Sequence, residues 1–91
     1  MFDARSLAAL DPAYFDIYYA DAYDVRLRSR NTGHFWHIHD TECSIPGTCV
    51  IIFHKHAARH PYHRHGKARS LRQAIKSIQS HDVFQLNGRR A

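Results

Sequence analysis

The sequence is poor in residues that interrupt or cross-link a chain: it has four glycines, three prolines and two cysteines among 91 residues. No apolar run approaches the ~18 residues that a membrane-spanning helix needs, so we expect no membrane association. Because Pro and Gly are sparse and no internal repeat or linker occurs, we expect one small domain over residues 1–91. A domain this short has a modest core, which favours a binding module over an enzyme with a deep cleft.

The two cysteines give little information about the compartment. Cys43 and Cys49 lie six positions apart, so a disulfide between them requires the intervening loop to close. Two cysteines are too few to indicate an oxidising compartment, and residues 1–9 lack the apolar core of a secretory signal. We therefore predict a cytoplasmic protein with reduced thiols, and the pairing of the two cysteines stays open.

Positive charge and histidine are present in excess. The chain has 13 Lys and Arg against 8 Asp and Glu, a formal charge of +5, and it has nine histidines. Histidine titrates near pH 6.5, so mild acidification makes the chain much more cationic. Small basic domains often bind nucleic acid, although a basic balance also serves solubility alone.

Hydrophobic periodicity predicts an α+β fold: a three-stranded antiparallel β-meander packed on a C-terminal helix, with a short N-terminal helix. Leu71, Ala74, Ile75 and Ile78 have the spacing of one helix face, and Ser70 is placed to cap that helix. Residues 14–19 fit a helix or a strand. The predicted segments are an N-terminal cover over 1–22, the sheet over 23–56, a basic, histidine-rich loop over 57–69, the helix over 70–81 and a tail over 82–91. A short strand over 62–65 and another in the tail remain alternatives.

Alternation along the predicted strands sets their register. A loop at Asn31-Thr32 places Leu27 opposite Trp36, and the same reasoning places Trp36 opposite Phe53 on the third strand. This register collects apolar residues on one face. The predicted core is Tyr23, Val25, Leu27, Trp36, Ile38, Ile51, Phe53, Leu71, Ile75 and Ile78.

The opposite face of the predicted sheet is basic and aromatic. It displays Arg26, Arg28, Arg30, Phe35, His37, His39, Val50, Ile52, His54 and His56. Arginine donates hydrogen bonds to phosphates, and an exposed ring stacks on a base. We predict that the nucleic-acid-binding residues are Arg26, Arg28, Arg30, Phe35, His37, His54, Arg64 and Lys67. Two alternatives remain: the charges only protect an exposed sheet from aggregation, or the N-terminal segment covers this face.

Histidines recur in a His-x-His pattern, at His37/His39, His54/His56 and His63/His65. Side chains two apart on a strand share a face, so such a pair suits Zn, Cu or Ni. The predicted register does not align the first two pairs, so we predict no metal and no other cofactor. If a metal binds, its predicted ligands are His54, His56, His63 and His65.

Catalytic signatures are weak. The chain has no Gly-x-Ser-x-Gly, no His-Glu-x-x-His and no phosphate-binding glycine loop. His54 beside Arg28 is the best pair for a small histidine-dependent nuclease, and we predict no enzyme. The predicted function is a non-enzymatic nucleic-acid-binding module for DNA or RNA. The alternatives are a protein-interaction or accessory domain that binds a protein or its own copy through Phe35, Val50 and Ile52, and a histidine-rich metal-binding domain.

The predicted order of three strands and a helix, over about residues 23–80, is similar in topology to sheet-based DNA readers of plants and to some integrase arm domains. The similarity concerns the order of elements and involves no shared motif. It implies an exposed sheet that contacts DNA.

Overall fold

The computed structural model describes residues 1–45 and 49–88. Its elements in chain order are α1 (Ala4–Ala8), β1 (Phe15–Ala20), β2 (Asp24–Ser29), β3 (Phe35–Asp40), β4 (Val50–Lys55), β5 (His63–Ala68) and α2 (Leu71–Gly88). The five strands form one antiparallel sheet in the order β1-β2-β3-β4-β5. The prediction of a three-stranded sheet is therefore wrong, because the three predicted strands are the middle of a five-stranded meander.

The two additional strands, which the sequence left only as alternatives, lie at the sheet edges. β1 occupies the segment that fitted a helix or a strand, and only Phe15 in it is buried. β5 lies within the predicted loop over 57–69, and Ala68 is its one buried apolar residue. Edge strands need little apolar alternation, so hydrophobic periodicity alone gave them no signal. The extra strands also remove the three-strand topology on which the similarity to DNA readers depended.

The predicted register is correct between β2 and β3 and wrong between β3 and β4. Between β2 and β3, Leu27 lies opposite Trp36, and this part of the prediction is confirmed. Between β3 and β4, Trp36 lies opposite His54 instead of Phe53. Because strand side chains alternate between faces, this one-residue shift moves every β4 side chain to the opposite face from the predicted one. Ile52 and His54 therefore face the core.

The core lies between one face of the sheet and the helices. Six of the predicted core residues are buried: Val25, Leu27, Trp36, Ile38, Leu71 and Ile78. Phe2, Leu10, Phe15, Val50, Ile52, Ala68 and Ala74 complete it. Ile75 is half-buried against this cluster, whereas Tyr23 is exposed and Ile51 and Phe53 lie on the opposite face of the sheet.

The C-terminal helix is longer than predicted. Ser70 Oγ accepts a hydrogen bond from the Gln73 amide at 3.1 Å, as expected of a capping residue. The helix continues to Gly88, through most of the predicted tail, and Asp82 extends its buried stripe by one further turn. No helix in the described ranges 1–45 and 49–88 is both long and apolar enough to cross a membrane.

The N-terminal segment lies on the helix side of the sheet. Asp3 caps α1 by accepting a hydrogen bond from the Ser6 amide at 2.7 Å. Phe2 and Leu10 join the core, and α1 contacts α2. This segment therefore packs on the same side as α2 and leaves the opposite face of the sheet open.

A disulfide joins Cys43 to Cys49, with Cα atoms 5.2 Å apart. Antiparallel pairing of Asp40 with Val50 brings the two ends of this connection together, which closes the loop. The expectation of reduced thiols is therefore corrected.

Candidate functional site

The open face of the sheet carries the aromatic rings of Tyr18, Phe35, Phe53 and Tyr62. Tyr18 stacks on Phe35, with ring centroids 6.1 Å apart and planes inclined by 19°. His37 lies between the other two, with its ring centroid 5.7 Å from that of Phe53 and 5.9 Å from that of Tyr62. The rings form a platform that crosses the sheet from β1 to the start of β5.

Cationic side chains are interleaved with these rings. Arg28 lies over Phe35, with its guanidinium carbon 5.8 Å from the ring centroid. The Lys55 ammonium lies 5.5 Å from the centroid of Phe35 and 4.4 Å from that of Tyr62. Such distances give attractive cation–π contacts. The remaining cations on this face are Arg26, opposite the Tyr19 and His37 positions, Arg64, opposite Phe53, and Lys67, opposite Ile51.

One carboxylate neutralises part of this charge near β1. Asp16 forms ion pairs with Arg30 at 2.8 Å and with Arg28 at 3.6 Å. Arg30, just beyond β2, also donates hydrogen bonds to the Pro12 carbonyl. Both arginine side chains keep over two-fifths of their surface exposed. Asp16 therefore positions these two arginines at the edge of the platform without covering them.

A second carboxylate orients two histidines. Asp24 Oδ1 lies 2.7 Å from His37 Nε2 and 2.8 Å from His39 Nδ1. Burial raises the pKa of Asp24, but hydrogen bonds from the two histidines outweigh it and leave the pKa below its usual value. These three residues also present a set of atoms close enough together to hold a metal ion.

The open face brings together most of the predicted nucleic-acid-binding residues. Arg26, Arg28, Phe35, His37, Arg64 and Lys67 lie on it, and Arg30 lies at its margin. His54 does not, because the shifted register buries it on the helix side with 2% of its surface exposed. The sheet thus separates His54 from Arg28, the pair suggested for a nuclease.

The shifted register also changes two other predictions. Val50 and Ile52 are buried, so the apolar patch predicted around Phe35 does not include them. Sequence reasoning missed Tyr18, Phe53, Lys55 and Tyr62 as members of the open face. Phe53 and Lys55 flank His54 on β4, so their side chains point to the opposite face from His54. A prediction that placed His54 on the core face would have placed both on the open face.

A cluster of histidines lies on the other side of the sheet. His34 and His54 are buried, and His54 Nε2 lies 3.0 Å from His34 Nδ1. The His56 ring stacks on that of His34, with centroids 4.4 Å apart. Three more rings surround His54 at centroid distances of 5.2, 5.6 and 5.1 Å: His63, His65 and His81.

Burial lowers the pKa of two histidines of this cluster. Desolvation, with smaller contributions from the neighbouring histidines, lowers the pKa of His54 to about 3. Burial likewise lowers the pKa of His65. Of the four histidines predicted as ligands, His56, His63 and His65 each have a ring near that of His54, but only His54 and His56 belong to a set of converging ring nitrogens. The prediction missed His34 and His81 because neither belongs to a His-x-His pair.

Comparison with protein-family models, with curated proteins and with solved structures finds no match to this chain. The fold and the site define it as an α+β protein with a five-stranded antiparallel sheet, covered on one face by helices and open on the other. Its function is therefore argued from the open face and the histidine cluster.

Proposed function

We propose that this protein is a non-enzymatic module that binds single-stranded nucleic acid on the open face of its sheet. The observation that carries the proposal is the platform of four rings interleaved with cationic side chains. Aromatic rings on a sheet stack on unpaired bases, and neighbouring cations attract the phosphates. The stacked pair of Tyr18 and Phe35, with Arg28 beside it, has this combination of ring and charge.

The width of the sheet favours a single strand over a duplex. Strands lie about 4.8 Å apart, so five of them span roughly 19 Å. The major groove of DNA is only about 12 Å wide and admits a helix or a two-stranded ribbon. A five-stranded face is too wide to enter that groove, whereas unpaired bases can lie on it.

Charge on the face supplies the phosphate contacts. Within residues 1–45 and 49–88, Arg26, Arg64 and Lys67 form no ion pair, so their charges remain available to a ligand. Arg28 is shared with Asp16 and contributes less. The proposed ligand is single-stranded RNA or DNA.

Phe35→Ala tests the stacking platform. Affinity for labelled single-stranded RNA and DNA is measured by fluorescence anisotropy at low salt. Stacking contributes about 1–3 kcal/mol per base, so the variant should bind roughly 5- to 150-fold more weakly. Phe84→Ala is the matched control, because Phe84 is an exposed ring on α2, away from the sheet face. Binding by the wild-type protein should also weaken as salt is raised.

Two outcomes would overturn the proposal. One is a wild-type protein that binds neither single-stranded RNA nor single-stranded DNA at low salt. The other is an equal loss of affinity in Phe35→Ala and Phe84→Ala, which would place binding outside the sheet face. A homodimer that buries Phe35 without any nucleic-acid affinity would instead support a protein-interaction domain.

A further inference from the structure

Three imidazoles converge on the helix side of the sheet. His34 directly precedes β3, His54 lies near the end of β4, and His56 directly follows β4. One ring nitrogen from each lies within 4.8 Å of the others. Paired strands hold these positions, so the convergence is fixed by the register of β3 and β4 and does not depend on a long loop.

We propose that His34, His54 and His56 form a binding site for a divalent transition-metal ion, with Zn²⁺ the expected ion. Imidazole nitrogen binds Zn²⁺ at about 2.0–2.1 Å, so two nitrogens on one tetrahedral ion lie about 3.3 Å apart. The distance of 3.0 Å between His34 Nδ1 and His54 Nε2 is close to this value. In the structure this contact is a hydrogen bond, which an ion bound to both nitrogens would replace.

His81 lies beside this cluster, although its ring nitrogens are not among those that converge within 4.8 Å. Its Nε2 atom is buried and has no hydrogen-bond partner among residues 1–45 and 49–88. Buried polar atoms are normally satisfied, so an unpartnered nitrogen here indicates a missing ligand. The His81 ring centroid lies 5.1 Å from that of His54 and 6.1 Å from that of His34. His56 is exposed, which gives an ion access to the cluster from solvent.

The chemistry of the cluster distinguishes it from the other candidate group. In the group of Asp24, His37 and His39, both rings contact one carboxylate oxygen, so an oxygen ligand is part of that set. The set of His34, His54 and His56 contains only imidazoles, which favours Zn²⁺, Ni²⁺ or Cu²⁺ over Mg²⁺ or Ca²⁺. It lies across the sheet from the open face, so metal binding does not depend on nucleic-acid binding.

The test uses tag-free protein stripped of metal by a chelator. Zn²⁺ is titrated calorimetrically, and Co²⁺ is titrated separately to observe the visible absorption of a tetrahedral site. We expect one ion per chain with a dissociation constant of about 1 μM or lower. Loss of a second-shell group costs about 10–100-fold in affinity, so removal of a direct ligand in His56→Ala should cost about 100-fold or more. His56 is exposed, and a circular dichroism spectrum will verify that the variant folds.

Two further variants locate the ion. His60→Ala removes an exposed histidine outside the cluster and should leave the affinity unchanged. His39→Ala should also leave it unchanged, because His39 lies on the open face. The proposal is overturned if the stripped protein binds no Zn²⁺ at micromolar concentration. It is also overturned if His39→Ala abolishes binding or if His56→Ala binds as the wild type does.

Discussion

A single buried hydrogen bond between two side chains joins β2 to β3. The Trp36 side chain is fully buried, and its indole N–H donates a hydrogen bond to Ser29 Oγ at 3.1 Å. Ser29 is itself fully buried at the end of β2, in line with Val25 and Leu27. A buried indole needs an acceptor, so this inward-facing serine matches the one tryptophan of the chain.

Ser29→Ala should therefore destabilise the protein although it removes only one oxygen. The indole N–H loses its acceptor, and an unsatisfied buried donor costs about 1–3 kcal/mol. The free energy of unfolding is measured by urea denaturation followed by tryptophan fluorescence. Ser77→Ala is the matched control, because Ser77 is exposed on α2. Equal stability of the two variants would show that Ser29 is not the acceptor.

A second buried polar contact, centred on Asp82, could not be predicted from the sequence. Asp82 is fully buried on α2 and accepts hydrogen bonds from Tyr14 Oη at 2.8 Å and from Thr32 Oγ1 at 3.0 Å. Burial first, and then the bond to Asp82, raises the pKa of Tyr14 to about 12. The three residues are distant in sequence, so no local spacing indicates that they meet.

At the level of elements, the predictability of each strand follows its pattern. β2 and β3 alternate apolar and polar residues, and this alternation fixed their pairing correctly. β4 begins with Val50, Ile51, Ile52 and Phe53, four apolar residues in a row. Such a run does not show which alternate side chains face the core, so either set could be assigned to it. In β5 the apolar signal is nearly absent, and its strand character depends on pairing with β4.

The wrong assignment of the two faces of β4 also limited the prediction of the site. Arg26, Arg28 and Phe35 belong to the correctly paired hairpin of β2 and β3, so their common face was predictable. To place Phe53 and Lys55 on the open face, the side of β4 that faces the core had to be known. To place Tyr62 there, the pairing of β4 with β5 had to be known. The same error placed His54 on the open face and thereby concealed its contact with His34.

The register of β4 is testable by paired substitutions. Ile52 is fully buried, whereas its neighbour Ile51 is half-buried on the open face. Ile52→Ala should lower the free energy of unfolding by about 2–5 kcal/mol, because it leaves a cavity in the core. Ile51→Ala should cost less than about 1.5 kcal/mol. Chemical denaturation of both variants gives the comparison, and a larger cost for Ile51→Ala would restore the predicted register.

At the scale of the whole molecule, charge is divided between the two sides of the sheet. The open face displays arginine and lysine side chains, whereas burial keeps His54 neutral on the helix side. His54 packs 4.1 Å from the Trp36 ring, measured between centroids. The titratable groups that face it from the surrounding elements are His34, His56, His63, His65 and His81.

This burial makes the metal-free protein less stable in mild acid. An unfolded chain binds a proton at His54 below pH 6.5, whereas the folded chain resists that proton until about pH 3. The free energy of unfolding contributed by His54 is therefore fully present above pH 6.5 and is lost as the pH falls toward 3. Between pH 6.5 and 5 this loss is roughly 1.5 kcal/mol from one histidine, and His65, whose pKa burial also lowers, adds to it.

The measurement is urea denaturation between pH 7.5 and 5 in the presence of a chelator. His54→Gln should flatten the dependence of stability on pH, whatever it does to stability at neutral pH, because glutamine does not titrate. His60→Gln should keep the wild-type slope, since His60 is exposed. If wild type and His54→Gln lose stability in parallel, His54 is protonated as readily in the folded chain as in the unfolded one, and its burial as a neutral imidazole is refuted.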